Sequence, residues 1–113
     1  MGRLGELERA VMDVLWAHGA PVSVRTVHDE LSGRDLAYTT VMTVLTRLAD
    51  KGFAARERDG RAWLYSASAS RERYIAELML DALGQTSDRS AALASFARAV
   101  SDEDAEHLRR SLP

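Results

Sequence analysis

The 113-residue chain contains no cysteine. That excludes a disulfide framework, a thiolate metal site and thiol catalysis. No apolar run approaches the ~20 residues a membrane helix needs, and the N-terminus lacks the basic-then-apolar layout of a signal peptide. A cytoplasmic protein without membrane insertion is therefore expected. Histidine is scarce: His18, His28 and His107 fall on three separate expected helices without ligand spacing, so no metal site is expected. There is no glycine-rich phosphate loop and no nucleophile elbow. Acidic residues are many but fall on expected solvent faces, so nothing points to an enzyme and no cofactor is implied. An overall basic excess is missing too, since the net charge is −2. The distribution says more. Residues 34–68 carry six Arg/Lys against four Asp/Glu, and residues 69–113 carry six against eight. The length suits one domain plus an accessory element, with a core that is real but not large.

What is present is periodicity. In residues 36–52, Val41, Val44, Leu45 and Leu48 fall on one stripe at about 100° per residue, as a core-facing helix requires. The opposite side carries Thr39, Met42, Thr43, Thr46 and Asp50, flanked by Thr40 and Arg47. β-Branched threonines are mediocre helix formers, and a helix selected only for solubility would use Glu, Lys or Gln. Threonine can bond a phosphate or a base edge, and its methyl can touch a thymine methyl. This makes a candidate DNA-recognition helix, starting at Thr39 or Thr40 and ending at Gly52.

Before it, Leu4, Leu7, Val11, Val14 and Leu15 share a face, which predicts a first helix over residues 4–17, ended by Gly19 and Pro21. Trp16 lies off that stripe, free to pack on a later element. Ser23 can cap a second helix of about ten residues with Val24, Val27 and Leu31 inward. After Gly52 the period changes. Two short runs flank Asp59-Gly60, a hairpin signal of type I′. In that register Arg58 faces Arg61, Arg56 faces Trp63, and Ala54 faces Tyr65. Arg56, Arg58 and Arg61 then share a face with Trp63 and Tyr65, while Phe53, Ala55 and Leu64 turn to the core. Three helices followed at once by a hairpin is the winged helix-turn-helix order, with the hairpin as the wing. The expected class is mainly α with a small β-hairpin.

Beyond the wing, Ser70 can cap a fourth helix whose apolar side is Tyr74, Ile75, Leu78, Met79, Ala82 and Leu83. A fifth helix holds Leu93, Phe96, Ala97 and Val100. Ser101-Asp102-Glu103-Asp104 starts a sixth, with Ala105, Leu108 and Leu112. Short amphipathic helices are marginal alone, and a second copy of the chain is the economical partner. The expected organisation is a DNA-binding domain over residues 1–69 and a helical dimerisation region over 70–113.

These residues resemble the penicillinase-repressor family, the BlaI/MecI-type winged-helix repressors. The matching pieces are residues 8–16 (ERAVMDVLW), 40–48 (TVMTVLTRL), Lys51-Gly52, 60–65 (GRAWLY) and 92–96 (ALASF), followed by the leucine-bearing residues 101–112. Each is weak, but their order and spacing are specific and span nearly the whole chain. The resemblance implies a cytosolic homodimer on a palindromic operator, controlling β-lactamase or penicillin-binding-protein genes. It also implies relief by a membrane-anchored sensor metalloprotease. Staphylococcal members are cut at an Asn-Phe bond; the matching position here is Ser95-Phe96, a candidate protease-sensitive bond with Ser in place of Asn. The copper-responsive branch binds metal through a C-terminal Cys-x-Cys, which this chain lacks.

Carried onto this sequence, Thr39, Thr40 and Thr43 are the candidates for base contact, with Met42 able to touch a thymine methyl. Arg47, Arg56, Arg58 and Arg61 are the candidates for phosphate contact. The positions of Thr39 and Met42 are often basic in the family, and their neutrality here leaves the operator sequence open. Ile75, Leu78, Met79, Leu83, Leu93, Phe96, Val100, Leu108 and Leu112 are the candidate dimerisation residues. Two other readings stay open: a winged-helix protein–protein module that does not bind DNA specifically, and a winged-helix regulator that senses a small ligand.

Overall fold

The computed structural model describes residues 3–113. In chain order the elements are α1 (Glu6–His18), β1 (Val22–Ser23), α2 (Val24–Glu30), a single 3-10 turn (Ser32–Arg34), α3 (Tyr38–Asp50), β2 (Ala54–Asp59), β3 (Ala62–Ala67), α4 (Arg71–Leu83), α5 (Arg89–Ala99) and α6 (Asp102–Ser111). The strands form one antiparallel sheet in the order β1-β3-β2. The architecture is the expected mainly helical winged helix with a small sheet.

Local chemistry sets the helix ends. The Glu8 carboxylate accepts the Gly5 N–H at 3.0 Å, which closes the first turn and starts α1 at Glu6 rather than Leu4. Leu4 stays outside the helix and is buried, its N–H donating to the Tyr74 hydroxyl at 2.9 Å. Val11, Met12 and Leu15 are the buried residues of α1, while Leu7 and Val14 are only half-buried. Met12 therefore takes the core place that periodicity gave to Val14. Ser23 caps α2 by accepting the Thr26 N–H at 3.1 Å. That helix is seven residues long, not ten, because the chain tightens into the 3-10 turn after Leu31. α3 begins at Tyr38, one residue before the expected start, with Val41, Val44, Leu45 and Leu48 buried. Gly52, at φ 87°, then reverses the chain into β2 in a conformation that a side chain would strain.

The wing differs from expectation in its turn. Asp59 pairs with Ala62, so the two loop residues are Gly60 and Arg61, not Asp59 and Gly60. Gly60 has φ 63° and Arg61 is not in the positive-φ region, the order of a type II′ turn rather than I′. Arg58 consequently faces Trp63, and Arg56 faces Tyr65. The pairing moves by two residues, so Arg56, Arg58, Trp63 and Tyr65 keep their common face. Arg61 leaves it for the tip. The core assignment is reversed along the strands: Ala54 and Tyr65 are buried, whereas Ala55 is exposed and Leu64 half-buried. At its base the arginine-bearing face packs on the domain, and Tyr65 offers more apolar area there than Leu64. Phe53, just before β2, is buried as expected. β1, which sequence reasoning missed, pairs Val22 with Tyr65 and Ser23 with Leu64.

Tyr74 joins the start of α4 to this core. Its ring lies 5.6 Å from Trp16 and 5.9 Å from Phe53 between centroids. Trp16 Nε1 donates to the Ala69 carbonyl at 2.9 Å, so the tryptophan does pack on a later element. Ser70 caps α4 and Ser101 caps α6, each accepting an N–H at 3.1 Å. By contact density the chain forms two compact units, one ending at Ala76 and the other running Glu77–Pro113. Among the described residues, no helix is long and apolar enough to cross a membrane.

One clamp ties the end of α3 to α1. Lys51 Nζ donates to Glu8 Oε2 at 2.8 Å. This bond, with the Gly5 N–H behind it, holds the Glu8 carboxyl below its ordinary 4.5; burial opposes the shift, and the charges of Lys51 and Arg47 add to it. A carboxylate lowered on folding stabilises above its unfolded pKa, and that stability is lost as pH falls through the folded value. Glu8→Gln keeps an acceptor for Gly5 but removes the charge. Denaturant unfolding at pH 7 should show a loss of roughly 0.5–1 kcal/mol, the range of an ion pair with one exposed partner. The gap to the unsubstituted protein should close as pH falls through the lowered folded value of Glu8. A gap independent of pH throughout the acid range would show that Glu8 acts through packing instead.

Candidate nucleic-acid interface

The side of α3 opposite the core is open. Thr39, Thr40, Met42, Thr43 and Arg47 are exposed, and Thr46 is half-buried. Two of the threonines are already engaged. Thr43 Oγ1 donates to the Thr39 carbonyl and Thr46 Oγ1 to the Met42 carbonyl, both at 2.9 Å. A hydroxyl whose proton is committed to the i−4 carbonyl keeps only acceptor capacity toward a partner. Thr43 can then accept from an adenine or cytosine amino group, or lay its methyl on a thymine methyl, but it is a poor donor to guanine.

The wing presents cations on an aromatic shelf. The Arg56 and Arg58 guanidinium carbons lie 4.6 Å and 4.9 Å from the Trp63 ring centroid. Stacking of this kind contributes about 0.5–1 kcal/mol per cation at exposed sites and restricts where a long side chain can go. Arg61 is exposed in the turn. Several other cations of the winged helix are ion-paired. Arg9 and Arg71 both pair with Asp13 at 3.3 Å, Arg34 with Glu6 at 3.4 Å and Lys51 with Glu8 at 2.8 Å. Arg47, Arg56, Arg58 and Arg61 make no ion pair among the described residues.

The three histidines lie apart. His18 contacts Glu30, His28 Nε2 donates to the Leu36 carbonyl at 2.7 Å, and His107 lies 4.0 Å from Glu103. Among the described residues, no group of three or more His, Asp or Glu is arranged to hold a metal ion.

Known proteins resemble this chain in sequence and fold. The family model described as penicillinase repressor matches residues 4–113. The chain belongs to the penicillinase-repressor family. It is 53% identical over 114 residues to the transcriptional regulator BlaI of Mycobacterium tuberculosis, covering 97% of this chain and 83% of that one. The solution structure of the DNA-binding domain of the repressor BlaI superposes with a TM-score of 0.54 at 28% identity, over 61% of this chain and 84% of that one. The monomeric form of Bacillus licheniformis BlaI, solved with the blaP half-operator, gives 0.53 at 28% identity, over 63% and 87%. The chain is thus a BlaI-like transcriptional regulator with a DNA-binding winged-helix domain, in a family of regulators rather than enzymes.

In this member of the family the second unit is built unlike the first. Every buried residue among those described lies at or before Tyr74. Of the candidate dimerisation residues, Ile75, Met79, Leu93, Phe96, Leu108 and Leu112 are exposed, and Leu78, Leu83 and Val100 are half-buried. Leu80, which sequence reasoning left out, is 60% exposed. Ser95 and Phe96 are exposed in the middle of α5. Sequence reasoning also left Trp63 out of the site, although it placed that ring on the arginine face.

Trp63→Leu should weaken binding to every duplex while leaving the salt slope nearly unchanged, because the shelf goes and the charges stay. Arg58→Ala should weaken binding and lower the slope of log K against log salt by ~0.9. Fluorescence anisotropy titrations across a salt series separate the two. Equal slope losses in both variants would contradict a purely positional role for the ring.

Proposed function

We propose that the chain is a homodimeric transcriptional repressor of the cytoplasm that binds a palindromic operator. α3 reads bases through Thr39, Thr40, Met42 and Thr43, and Arg47 with the wing arginines holds phosphates. The observation that carries this reading is the charge partition. Among the described residues Arg56, Arg58 and Arg61 make no ion pair and Arg47 meets Glu8 only through its longer-range charge, while most other cations of the winged helix are paired off. Unpaired arginines beside a hydroxyl-rich helix face suit a polyanion whose base edges are read at close range.

Dimerisation through the C-terminal helices is supported by their apolar exposure. Met79, Leu80, Leu93, Phe96, Leu108 and Leu112 are each 44% exposed or more, in a unit without a buried residue. A two-fold partner presenting the same patch is the simplest cover. The family resemblance extends the reading to β-lactam-responsive or related gene control, with a membrane-anchored sensor metalloprotease as the relieving partner. Cutting at Ser95-Phe96 would require α5 to unwind, since the bond lies within that helix.

The test is a mobility shift with the upstream regions of the protein's own gene and its neighbours against random duplex. Specific binding should exceed non-specific binding by about 10³-fold or more at physiological salt. Thr43→Val, which keeps a methyl and loses the acceptor, should change base preference at one position per half-site, at ~1–3 kcal/mol. Equal weakening on specific and random duplex would remove Thr43 from the base readers. Uniformly weak, non-specific binding by the unsubstituted chain would refute the repressor reading in favour of a protein–protein module.

A further inference from the structure

The candidate surface has a neighbour that the recognition helix and the wing do not include. Between α2 and the start of α3 lies an open cleft of about 500 Å³ lined by Arg25, His28, Asp29 and Tyr38. Arg25 is exposed and, like the wing arginines, makes no ion pair among the described residues. Tyr38 is the first residue of α3 and is 45% exposed. Its position is fixed from behind. The His28 ring meets it edge-on, with centroids 5.7 Å apart and planes at 66°. His28 is itself held by the bond from Nε2 to the Leu36 carbonyl at 2.7 Å, in the segment that leads into α3. An imidazole has thus been used to prop a tyrosine at the helix entry, next to an arginine with no acid partner.

We propose that this cleft holds a backbone phosphate of the duplex whose bases α3 reads, with Arg25 supplying charge and the Tyr38 hydroxyl a hydrogen bond. His28 is the positioning residue. The inference rests on the DNA-binding reading above and adds a contact point on α2. In helix-turn-helix proteins the helix before the recognition helix crosses the sugar–phosphate backbone, so a phosphodiester is the anion that reaches this position. Asp29 works against it. Its carboxylate lies 4.0 Å from His28 Nδ1 and is 69% exposed, at a site where an anion would have to approach. The cleft therefore holds two groups of opposite effect, which gives the proposal a signed test.

The experiment titrates the full-length chain into a random-sequence duplex and into its tightest upstream duplex over a salt series. Arg25→Gln should weaken both complexes alike and lower the salt slope by ~0.9. Tyr38→Phe should weaken both without moving the slope, because no charge is removed. Asp29→Asn should tighten both. All three positions are on the surface, and circular-dichroism melting confirms that each variant folds. Arg58→Ala is run alongside. If that wing variant loses affinity while Arg25→Gln and Tyr38→Phe bind as the unsubstituted chain does, the cleft proposal is overturned and the DNA-binding reading stands. If neither wing nor cleft variants change binding, both fail. A loss in Tyr38→Phe confined to one sequence would also overturn it, since a phosphate carries no sequence.

Discussion

The burial of Val41, Val44, Leu45 and Leu48 fixes the rotation of α3 about its own axis. With that stripe against α1 and α2, the threonines, Met42 and Arg47 have no choice but to face outward. Truncating one buried leucine of this kind costs about 2–5 kcal/mol, against a total of about 5–15 for a domain. The orientation of the reading face is therefore as firm as the fold itself. The clamp from Lys51 to Glu8 and the Gly52 reversal finish the job at the C-terminal end, where the chain turns directly into the wing. A surface of weak, short side chains can be selective only if something else holds it still, and here the core does.

The wing solves a related problem differently. Long arginine side chains lose much rotamer freedom when they are ordered. Stacking Arg56 and Arg58 on Trp63 removes part of that freedom before any partner arrives. The winged helix and the C-terminal unit then divide the work by composition. The first buries most of its large apolar residues, whereas Glu77–Pro113 buries none and shows Met79, Leu80, Leu93, Phe96, Leu108 and Leu112. A unit of that kind makes physical sense when its apolar side has a partner.

Much of this was legible in the sequence, and the misses have physical reasons. The 3.6-residue period of α3 was unambiguous because its faces contrast, one all aliphatic and one mostly threonine. The order of helix, helix, helix and hairpin gave the fold class. The turn was misread by one position because Asp-Gly is a strong type I′ signal, yet Gly60-Arg61 satisfies a type II′ turn with the glycine first. Parity protected the arginine face from that error, but not the core assignment, where Tyr65 displaced Leu64. Met12 for Val14 is a drift of two residues that pattern alone could not choose, since long unbranched side chains fill irregular gaps. Arg25 and Tyr38 carried no signal by themselves. Only the folded chain brings them to one cleft through the His28 contact.

In the proposed dimer, two copies joined through their C-terminal helices present two α3 helices and two wings to one duplex. Sedimentation of the full chain with a palindromic upstream duplex, and with the same duplex cut to a single half-site, tests it most directly. Two chains should bind the palindrome cooperatively, with far weaker binding to the half-site. One chain per duplex, with the same affinity for the palindrome and the half-site, would contradict it.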